Sequence, residues 1–234
     1  MNAAPAVVKD TGVPELGAFI RVAPAPRGNF SIMMEAEPLG QTGVQAERRF
    51  LLEDVPWWAY VALRDALEDT GTRMTYVEGR LELMSPSETH EEEKKLVARL
   101  FEAWADENDI DLRGFGSTTY RREAKRRGLE PDECYTVGPK LEDAVPQIAI
   151  EVMVSSPLLD KLDVYAGLGV PEVWVWHSAK RHMVVHRLAG GRYTQHDRSA
   201  IVAGLDLALL ASFVRPGESH TALVKKYRAS LRSA

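Results

Sequence analysis

The pattern of hydrophobic and polar positions predicts alternating strands and helices from about residue 49 onward. Two short runs, 73–77 and 80–84, flank the Glu78-Gly79 pair and are typical of a β-hairpin. Further runs of apolar, β-favouring residues predict strands at 133–137, 148–154, 174–177, 183–188 and 193–196. Together with the helices below, these strands indicate an α/β (α+β) protein.

Four stretches carry apolar residues at helical spacing. The first extends from Val55 to about Gly71, and the second, 88–107, places its large apolar side chains on one face. Ser155-Ser156-Pro157 is typical of an N-cap followed by a proline in the first turn, which predicts a third helix ending near residue 167. A last helix is predicted from about Glu218.

The chain divides into three parts by composition. Residues 1–48 contain five prolines separated by alanine and glycine, which predicts a loosely ordered arm and no second core. Residues 49–215 carry the regular pattern of one domain, and residues 216–234 form a C-terminal helix that either packs on the domain or joins a homodimer.

Composition narrows the class of protein. The chain has 234 residues, of which 45% are hydrophobic and 27% charged, so it is typical of a globular protein. Its single cysteine, Cys134, excludes an intramolecular disulfide and predicts a reducing, cytoplasmic location. No signal peptide is evident, and no apolar run reaches the ~18 residues that a membrane-spanning helix needs. The net charge of −5 does not indicate nucleic-acid binding by itself.

Glu151 lies within an otherwise apolar run, 148–154. A strand that is apolar on both faces is typical of the centre of a covered sheet, where an ionised carboxylate is costly unless it is paired or holds a metal. Asp132 begins the neighbouring predicted strand. Two acids at the ends of neighbouring strands predict a site for a hard cation such as Mg²⁺.

Lys161 lies in the helix predicted to follow this strand, and a short turn would bring its ammonium towards Glu151. Two interpretations stay open. In one, Asp132 and Glu151 bind Mg²⁺, the metal polarises a phosphodiester, and Lys161 stabilises charge. In the other, Glu151 and Lys161 form a structural ion pair without catalysis.

Other polar residues near these elements also have two interpretations. His90 and Glu93 share a helix face with the apolar stripe of 88–107 and could face a site, although acids there also complement the helix dipole. A basic cluster could bind phosphates or simply form a solvated loop; it comprises Arg121, Arg122, Lys125, Arg126 and Arg127. Trp174 and Trp176 are interpreted as sheet packing, and His182 and His186 lack a third zinc ligand.

Several ordered motifs resemble one protein family. The segment Tyr76-Val77-Glu78-Gly79-Arg80-Leu81-Glu82-Leu83-Met84-Ser85-Pro86-Ser87, with His90, resembles the opening of the Uma-two family of restriction-endonuclease-like proteins. Its later motifs resemble residues 116–122, 127–134, 150–152, 159–161 and 168–174. The resemblance covers roughly residues 51–193.

The resemblance implies a PD-(D/E)XK nuclease core, which is a restriction-endonuclease-like mixed sheet with flanking helices. It places Asp132 and Glu151 at the family's metal-binding positions and implies Mg²⁺, or Mn²⁺, as the cofactor. Met153 occupies the usual lysine position, two residues after Glu151, and a thioether cannot position water as an ammonium does. Lys161 on the following helix is therefore the candidate for that role. The resemblance also implies an acidic position on a helix, for which His90 and Glu93 are the candidates.

Three hypotheses follow from these residues. The first is a cytoplasmic, Mg²⁺-dependent endonuclease that hydrolyses the phosphodiester bonds of DNA, with Asp132, Glu151 and Lys161 as its catalytic residues. The second, motivated by Met153, is a nucleic-acid-binding or regulatory module of the same fold that has lost efficient turnover. The third is an oligomeric interaction protein in which Glu151 and Lys161 form a structural pair.

Overall fold

Within residues 32–33, 47–116, 118–139 and 145–233, which the computed structural model describes, the chain forms two six-stranded sheets and five α-helices. The helices are α1 Trp57–Ala66, α2 Glu88–Glu107, α3 Lys161–Leu168, α4 Leu207–Ser212 and α5 His220–Leu231. The strands are β1 Ile32–Met33, β2 Arg48–Leu52, β3 Arg73–Val77, β4 Arg80–Ser85, β5 Leu112–Gly114, β6 Tyr120–Arg122, β7 Arg127–Leu129, β8 Glu133–Val137, β9 Ile148–Met153, β10 Glu172–His177, β11 His182–Ala189 and β12 Arg192–His196. Most of the predicted arm lies outside the described residues.

The first sheet is antiparallel throughout and has the strand order β1-β2-β4-β3-β7-β6. The predicted hairpin at its centre is confirmed, and Glu78 and Gly79 both adopt positive φ angles in the turn between β3 and β4. Helix α1 covers this sheet, since the Tyr60 ring of α1 stacks on the Tyr76 ring of β3 with centroids 4.8 Å apart.

The second sheet is mixed and has the order β12-β11-β10-β9-β8-β5. Strands β9 and β10 are parallel, whereas the other neighbours are antiparallel. Strand β9 lies inside the sheet with both faces buried, because Ile150 joins one hydrophobic cluster and Ala149 another. The predicted α+β class with a mixed sheet and flanking helices is confirmed, and the structure adds a second sheet.

Helices cover both faces of the second sheet. One face packs against α2, α4 and α5, and the other contacts α3, which also contacts β3, β6 and β7 of the first sheet. Trp174 and Trp176 are fully buried in the larger cluster, so their interpretation as packing residues is confirmed. Leu223 and Tyr227 of α5 are buried there as well, so this helix packs on its own domain. Among the described helices, none combines the length and the apolar character needed to cross a membrane.

The prediction that a helix begins at Ser155-Ser156-Pro157 is wrong. Helix α3 begins at Lys161, and the Asp160 side chain accepts hydrogen bonds from the backbone N–H groups of Leu162 and Asp163. The preceding segment is held in another conformation because Glu82 of β4 accepts hydrogen bonds from the N–H groups of Leu158 and Leu159. A tertiary contact therefore replaces the first helical turn.

Candidate functional site

Asp132 and Glu151 approach each other because of the register between β8 and β9. Glu133 lies opposite Ile150, so the same antiparallel register places Asp132 opposite Glu151 one residue beyond the ladder. The backbone N–H of Val152 donates a hydrogen bond of 2.8 Å to Asp132 Oδ2. The negative charges of both acids also act on Lys161. The structure thus brings together the three residues that the sequence singled out.

Glu151 is 5% exposed and both of its carboxylate oxygens are occupied. Lys161 Nζ lies 2.6 Å from Oε2, and the Tyr165 hydroxyl donates a hydrogen bond to Oε1. Burial raises the pKa of Glu151 above its usual value, and the charge of Lys161 opposes that rise. Burial and the charge of Glu151 raise the pKa of Tyr165 well above its usual range, so the phenol keeps its proton.

Lys161 is the first residue of α3, directly after the Asp160 cap, which directs its side chain back over β9. Burial alone would lower the pKa of Lys161, but the charges of Glu151 and Asp132 raise it above the usual value. The ammonium therefore stays charged although only 15% of the side chain is exposed.

His90, near the N-terminus of α2, contacts Asp132 from the other side. Its Nε2 lies 3.0 Å from Asp132 Oδ1, and its Nδ1 lies 2.7 Å from Glu47 Oε1. Burial would lower the pKa of His90, but its contacts with Asp132 and Glu47 outweigh this effect and raise it to about 9. In turn, burial would raise the pKa of Asp132, and the contact with His90 holds it well below its usual value. Asp132 is therefore a buried, ionised carboxylate.

Glu47 connects His90 to the segment after β9. Besides His90, its carboxylate accepts hydrogen bonds from Arg49 and from both the backbone N–H and the hydroxyl of Ser155. The sequence did not single out Glu47, because its partner Ser155 is 108 residues away and no local pattern reports such a contact. The predicted domain begins at residue 49, so Glu47 falls within the predicted arm, 1–48.

Two further residues of the site were missed. Glu82 pairs with Arg49 and holds the segment before α3, but its place between Leu81 and Leu83 in a hairpin strand is typical of a solvated residue. The sequence did not single out Tyr165 of α3. Its spacing of four residues from Lys161 places both on one side of the helix, which is the signal that would have found it.

Glu93 does not reach the site. Its carboxylate accepts hydrogen bonds of 3.0 Å from the indole N–H of Trp176 and from the hydroxyl of Ser178. Of the two candidates on α2, only His90 contacts the acids, whereas Glu93 satisfies the buried indole of the core.

The basic cluster forms the β6–β7 hairpin at the edge of the first sheet. Arg127 Nη2 lies 2.9 Å from Asp163 Oδ2 of α3, so it ties the hairpin to the helix that carries Lys161. Arg121 lies 3.6 Å from Asp65, and Arg126 donates to the Tyr76 hydroxyl. Arg122 and Lys125 are exposed and have no acidic partner within the described ranges. Part of the cluster is therefore structural, and part is free to meet an anion.

A cavity of about 280 Å³ opens beside Glu151 and Lys161, between α3 and the second sheet. Met153 lines this cavity, as expected for a residue on the same strand face as Glu151. The resemblance described above implies a lysine at this position. The side chain that faces the cavity here is the thioether of Met153, which carries no charge.

The donor set is compatible with Mg²⁺. In the described part of the chain, no three His, Cys, Asp or Glu side chains lie close enough together to hold a metal by themselves. Mg²⁺ typically uses one or two carboxylates and takes its other oxygens from water and substrate phosphate. Asp132 Oδ1 is buried and receives no well-formed hydrogen bond among the described residues, but it lies 3.0 Å from His90 Nε2, so a cation bound at this oxygen would share it with the imidazole.

Comparison with known proteins places the chain in a family. No curated protein matches it. One solved structure that it resembles is "a putative nuclease belonging to DUF820" from Anabaena variabilis, with 16% identity, coverage of 61% of this chain and 91% of that chain, and a TM-score of 0.42. The family model described as "Uma2: Putative restriction endonuclease" matches residues 57–214, which is more than half of the chain. The chain therefore belongs to this family.

Proposed function

We propose that this protein is a metal-dependent endonuclease that hydrolyses phosphodiester bonds of DNA, with Asp132 and Glu151 as the Mg²⁺ ligands and Lys161 as the electrostatic helper. One observation carries the proposal. In a chain of the restriction endonuclease family, two carboxylates lie opposite each other on neighbouring strands and an ammonium lies 2.6 Å from one of them.

Each residue has a distinct part in this proposal. A bound Mg²⁺ would polarise the phosphodiester and acidify a water molecule. His90 and the N–H of Val152 keep Asp132 ionised, which is the form that binds cations. Tyr165 keeps its proton and fixes one oxygen of Glu151. Lys161 keeps its charge and stabilises the negative charge that develops on the phosphate oxygens.

The β6–β7 hairpin is proposed to contact the DNA backbone through Arg122 and Lys125. Each phosphate contact of this kind adds affinity that falls with salt and carries no sequence information. Arg127 contributes by joining the hairpin to α3, so that the backbone contact and Lys161 belong to one packed unit.

Plasmid nicking tests the proposal. Supercoiled DNA is incubated with Mg²⁺ or Mn²⁺, and EDTA is expected to stop the reaction. Asp132→Asn and Glu151→Gln should abolish nicking, and Lys161→Met should slow it by about a hundredfold, because it removes a charge that stabilises the transition state. Glu53→Gln and Lys226→Met are the matched controls, since both residues are exposed. Nicking by Asp132→Asn at the wild-type rate would identify a contaminating nuclease and overturn the assignment.

A second candidate is a nucleic-acid-binding module without efficient turnover. Met153 favours it, because this uncharged side chain lines the cavity where the family's lysine is usual. In that case the protein should bind duplex, single-stranded or branched DNA without cleaving any of them, and the affinity should fall steeply with salt. Failure to bind DNA at low salt would remove this candidate.

A further inference from the structure

We propose that the cavity beside Glu151 binds the base of the nucleotide whose phosphodiester is attacked. This inference rests on the proposed nuclease function and specifies its substrate as a nucleotide that is out of the helical stack. The cavity, of about 280 Å³, lies on the face of the second sheet that carries Glu151.

Three of the polar side chains that line the cavity come from neighbouring strands: His186 of β11 lies opposite Gln195 of β12, and His177 of β10 lies four residues along from the position opposite His186. None of the three has a hydrogen-bond partner within the residues that the structure describes. Burial lowers the pKa of both histidines, which favours neutral imidazoles. A neutral imidazole and an amide each offer a donor and an acceptor, which is what the hydrogen-bonding edge of a base requires.

Most of the other residues that line the cavity are apolar. They include Met153, Pro157, Leu162, Val173 and Val175. Apolar walls suit the flat faces of a base, and they do not suit a second phosphate, which would have to give up its hydration without a cation to replace it.

The cationic side chains of the cavity lie near Glu151. Arg49 and Lys161 supply cations only near Glu151, where a phosphate would lie. Asp160 also lines the cavity, but its carboxylate is already engaged by the first amides of α3. One end therefore suits a phosphodiester and the other a neutral, flat group with polar edges.

The spacing of the strands fits one nucleotide. His177 lies opposite Met153 on the strand next to β9, two residues along from the position opposite Glu151. With strands ~4.8 Å apart and a rise of ~3.3 Å per residue, its Cα lies roughly 8 Å from that of Glu151. A single nucleotide bridges such a distance with its phosphate at Glu151 and its base at His177.

This arrangement selects for unpaired substrate. A base in the cavity cannot be stacked in a duplex, so a paired base must first be extruded at a cost of a few kcal/mol, whereas a single-stranded or gapped substrate avoids most of that cost. The expected preference is therefore for single-stranded or gapped DNA over intact duplex.

Calorimetric binding in EDTA tests the cavity without catalysis. The four deoxynucleoside 5′-monophosphates are compared with deoxyribose 5-phosphate, and at least one nucleotide should bind about tenfold more tightly, since stacking of a base on a protein surface has this magnitude. His177→Ala and His186→Ala should remove most of this difference. His182→Ala is the matched control, because His182 is exposed on the same strand and does not line the cavity.

Two results would overturn the inference. Equal affinity for nucleotides and deoxyribose 5-phosphate would show that no base is recognised, and a preference unchanged in both variants would place the base elsewhere. Thermal unfolding of each variant checks that it is folded. His177 and His186 are half-buried and lie outside the hydrophobic clusters of the described residues, so their replacement leaves the core intact.

Cleavage of a single-stranded oligonucleotide with one abasic position separates the two proposals. Cleavage that requires Glu151 but is equally fast at the abasic position would contradict the base-binding cavity and leave the nuclease standing. Conversely, absence of Glu151-dependent cleavage would remove the nuclease, while the binding comparison would still decide whether the cavity recognises a base.

Discussion

At the scale of single residues, the stability of Glu151 depends on two side chains of α3. A buried carboxylate is tolerated when its charge is paired and its oxygens accept hydrogen bonds. Lys161 provides the charge and Tyr165 the second hydrogen bond. Asp132 adds a second negative charge that also acts on Lys161, although its direct partner is His90.

Removing this ammonium should therefore destabilise the fold. We expect Lys161→Met to lower the free energy of unfolding by about 3 kcal/mol at neutral pH, because it leaves an uncompensated buried carboxylate. The double variant Lys161→Met with Glu151→Gln should recover part of this loss, since the carboxylate is gone. Urea unfolding measures both. Lys226→Met, a control at an exposed position of α5 without an ion pair among the described residues, should change the free energy by less than about 0.5 kcal/mol. An equal effect of the Lys161 and Lys226 variants would contradict the prediction.

Cys134 provides a second test at this scale. Its thiol is fully buried, and burial raises its pKa to about 11. The reactive thiolate is therefore a fraction of about 0.001 at pH 8, and it increases only as the pH rises towards 11. We expect a disulfide reagent such as DTNB to react with the native protein far more slowly than with the denatured chain, which should release one equivalent per chain. Equal rates would show that the thiol is accessible.

The sequence located Asp132, Glu151 and Lys161 because each has a local signal. The charge of Glu151 in an apolar run, and a lysine in the helix that follows this strand, are visible in the sequence without tertiary structure. The residues that hold them are not: Glu47 meets Ser155 across 108 positions and Glu82 meets Leu158 across 76. Such contacts depend on how the two sheets pack, which no local pattern specifies.

At the scale of elements, α3 is the connection between the two sheets. The Arg127 side chain of β7 passes directly over Gly167 of α3 and pairs with Asp163 on the same helix and with Glu78 of the β3–β4 turn. A Cβ atom at residue 167 would overlap the Arg127 side chain. Glycine here permits close contact between the helix and the basic hairpin.

Gly167→Ala therefore sets two effects against each other. Helix propensity favours alanine by about 1 kcal/mol, whereas overpacking typically costs about 1–3 kcal/mol. We expect the second effect to prevail, because Arg127 must give up its ion pairs to move, and the variant should unfold at a lower urea concentration than the wild type. Gly204→Ala is the control, since its Cβ would lie 3.7 Å from Trp104 in ordinary contact. A more stable Gly167→Ala protein would refute this account.

Long, periodic elements were predicted well and short ones poorly. The predicted limits of the 88–107 helix agree with α2, because twenty residues carry a continuous apolar face and Ser87 caps its N-terminus. Helix α4 has six residues, too few for a periodic pattern, and was not predicted. The start of α3 was wrong because hydrogen bonds to Glu82 overrode a typical capping signal.

At the scale of the whole molecule, one hydrophobic cluster joins elements from distant parts of the chain. It includes residues of α2, β8, β9, β10, β11, α4 and α5. Arg228 of α5 and Arg232, which follows this helix, add ion pairs to Glu107 at the end of α2. The C-terminal helix is thus part of the main core, and we expect it to unfold together with the sheet.

Tyr227→Ala tests this expectation. Tyr227 is fully buried and contacts the Phe213 ring at a centroid distance of 5.2 Å. The replacement should lower the free energy of unfolding by about 3–5 kcal/mol, as other large-to-small core replacements do. Circular dichroism and tryptophan fluorescence should still report one coincident transition. Lys225→Ala, at an exposed position of the same helix, is the control. Separate transitions would show that α5 is an independent unit.

The position of Glu47 determines where this protein can be shortened. The family match begins at residue 57, ten positions after the carboxylate that holds His90 and Ser155. A fragment cut at that limit would retain Asp132, Glu151 and Lys161, yet it would leave His90 with one carboxylate in place of two and release the segment that follows β9. The same cut would remove β2, so the smallest working piece of the chain is expected to begin before Glu47.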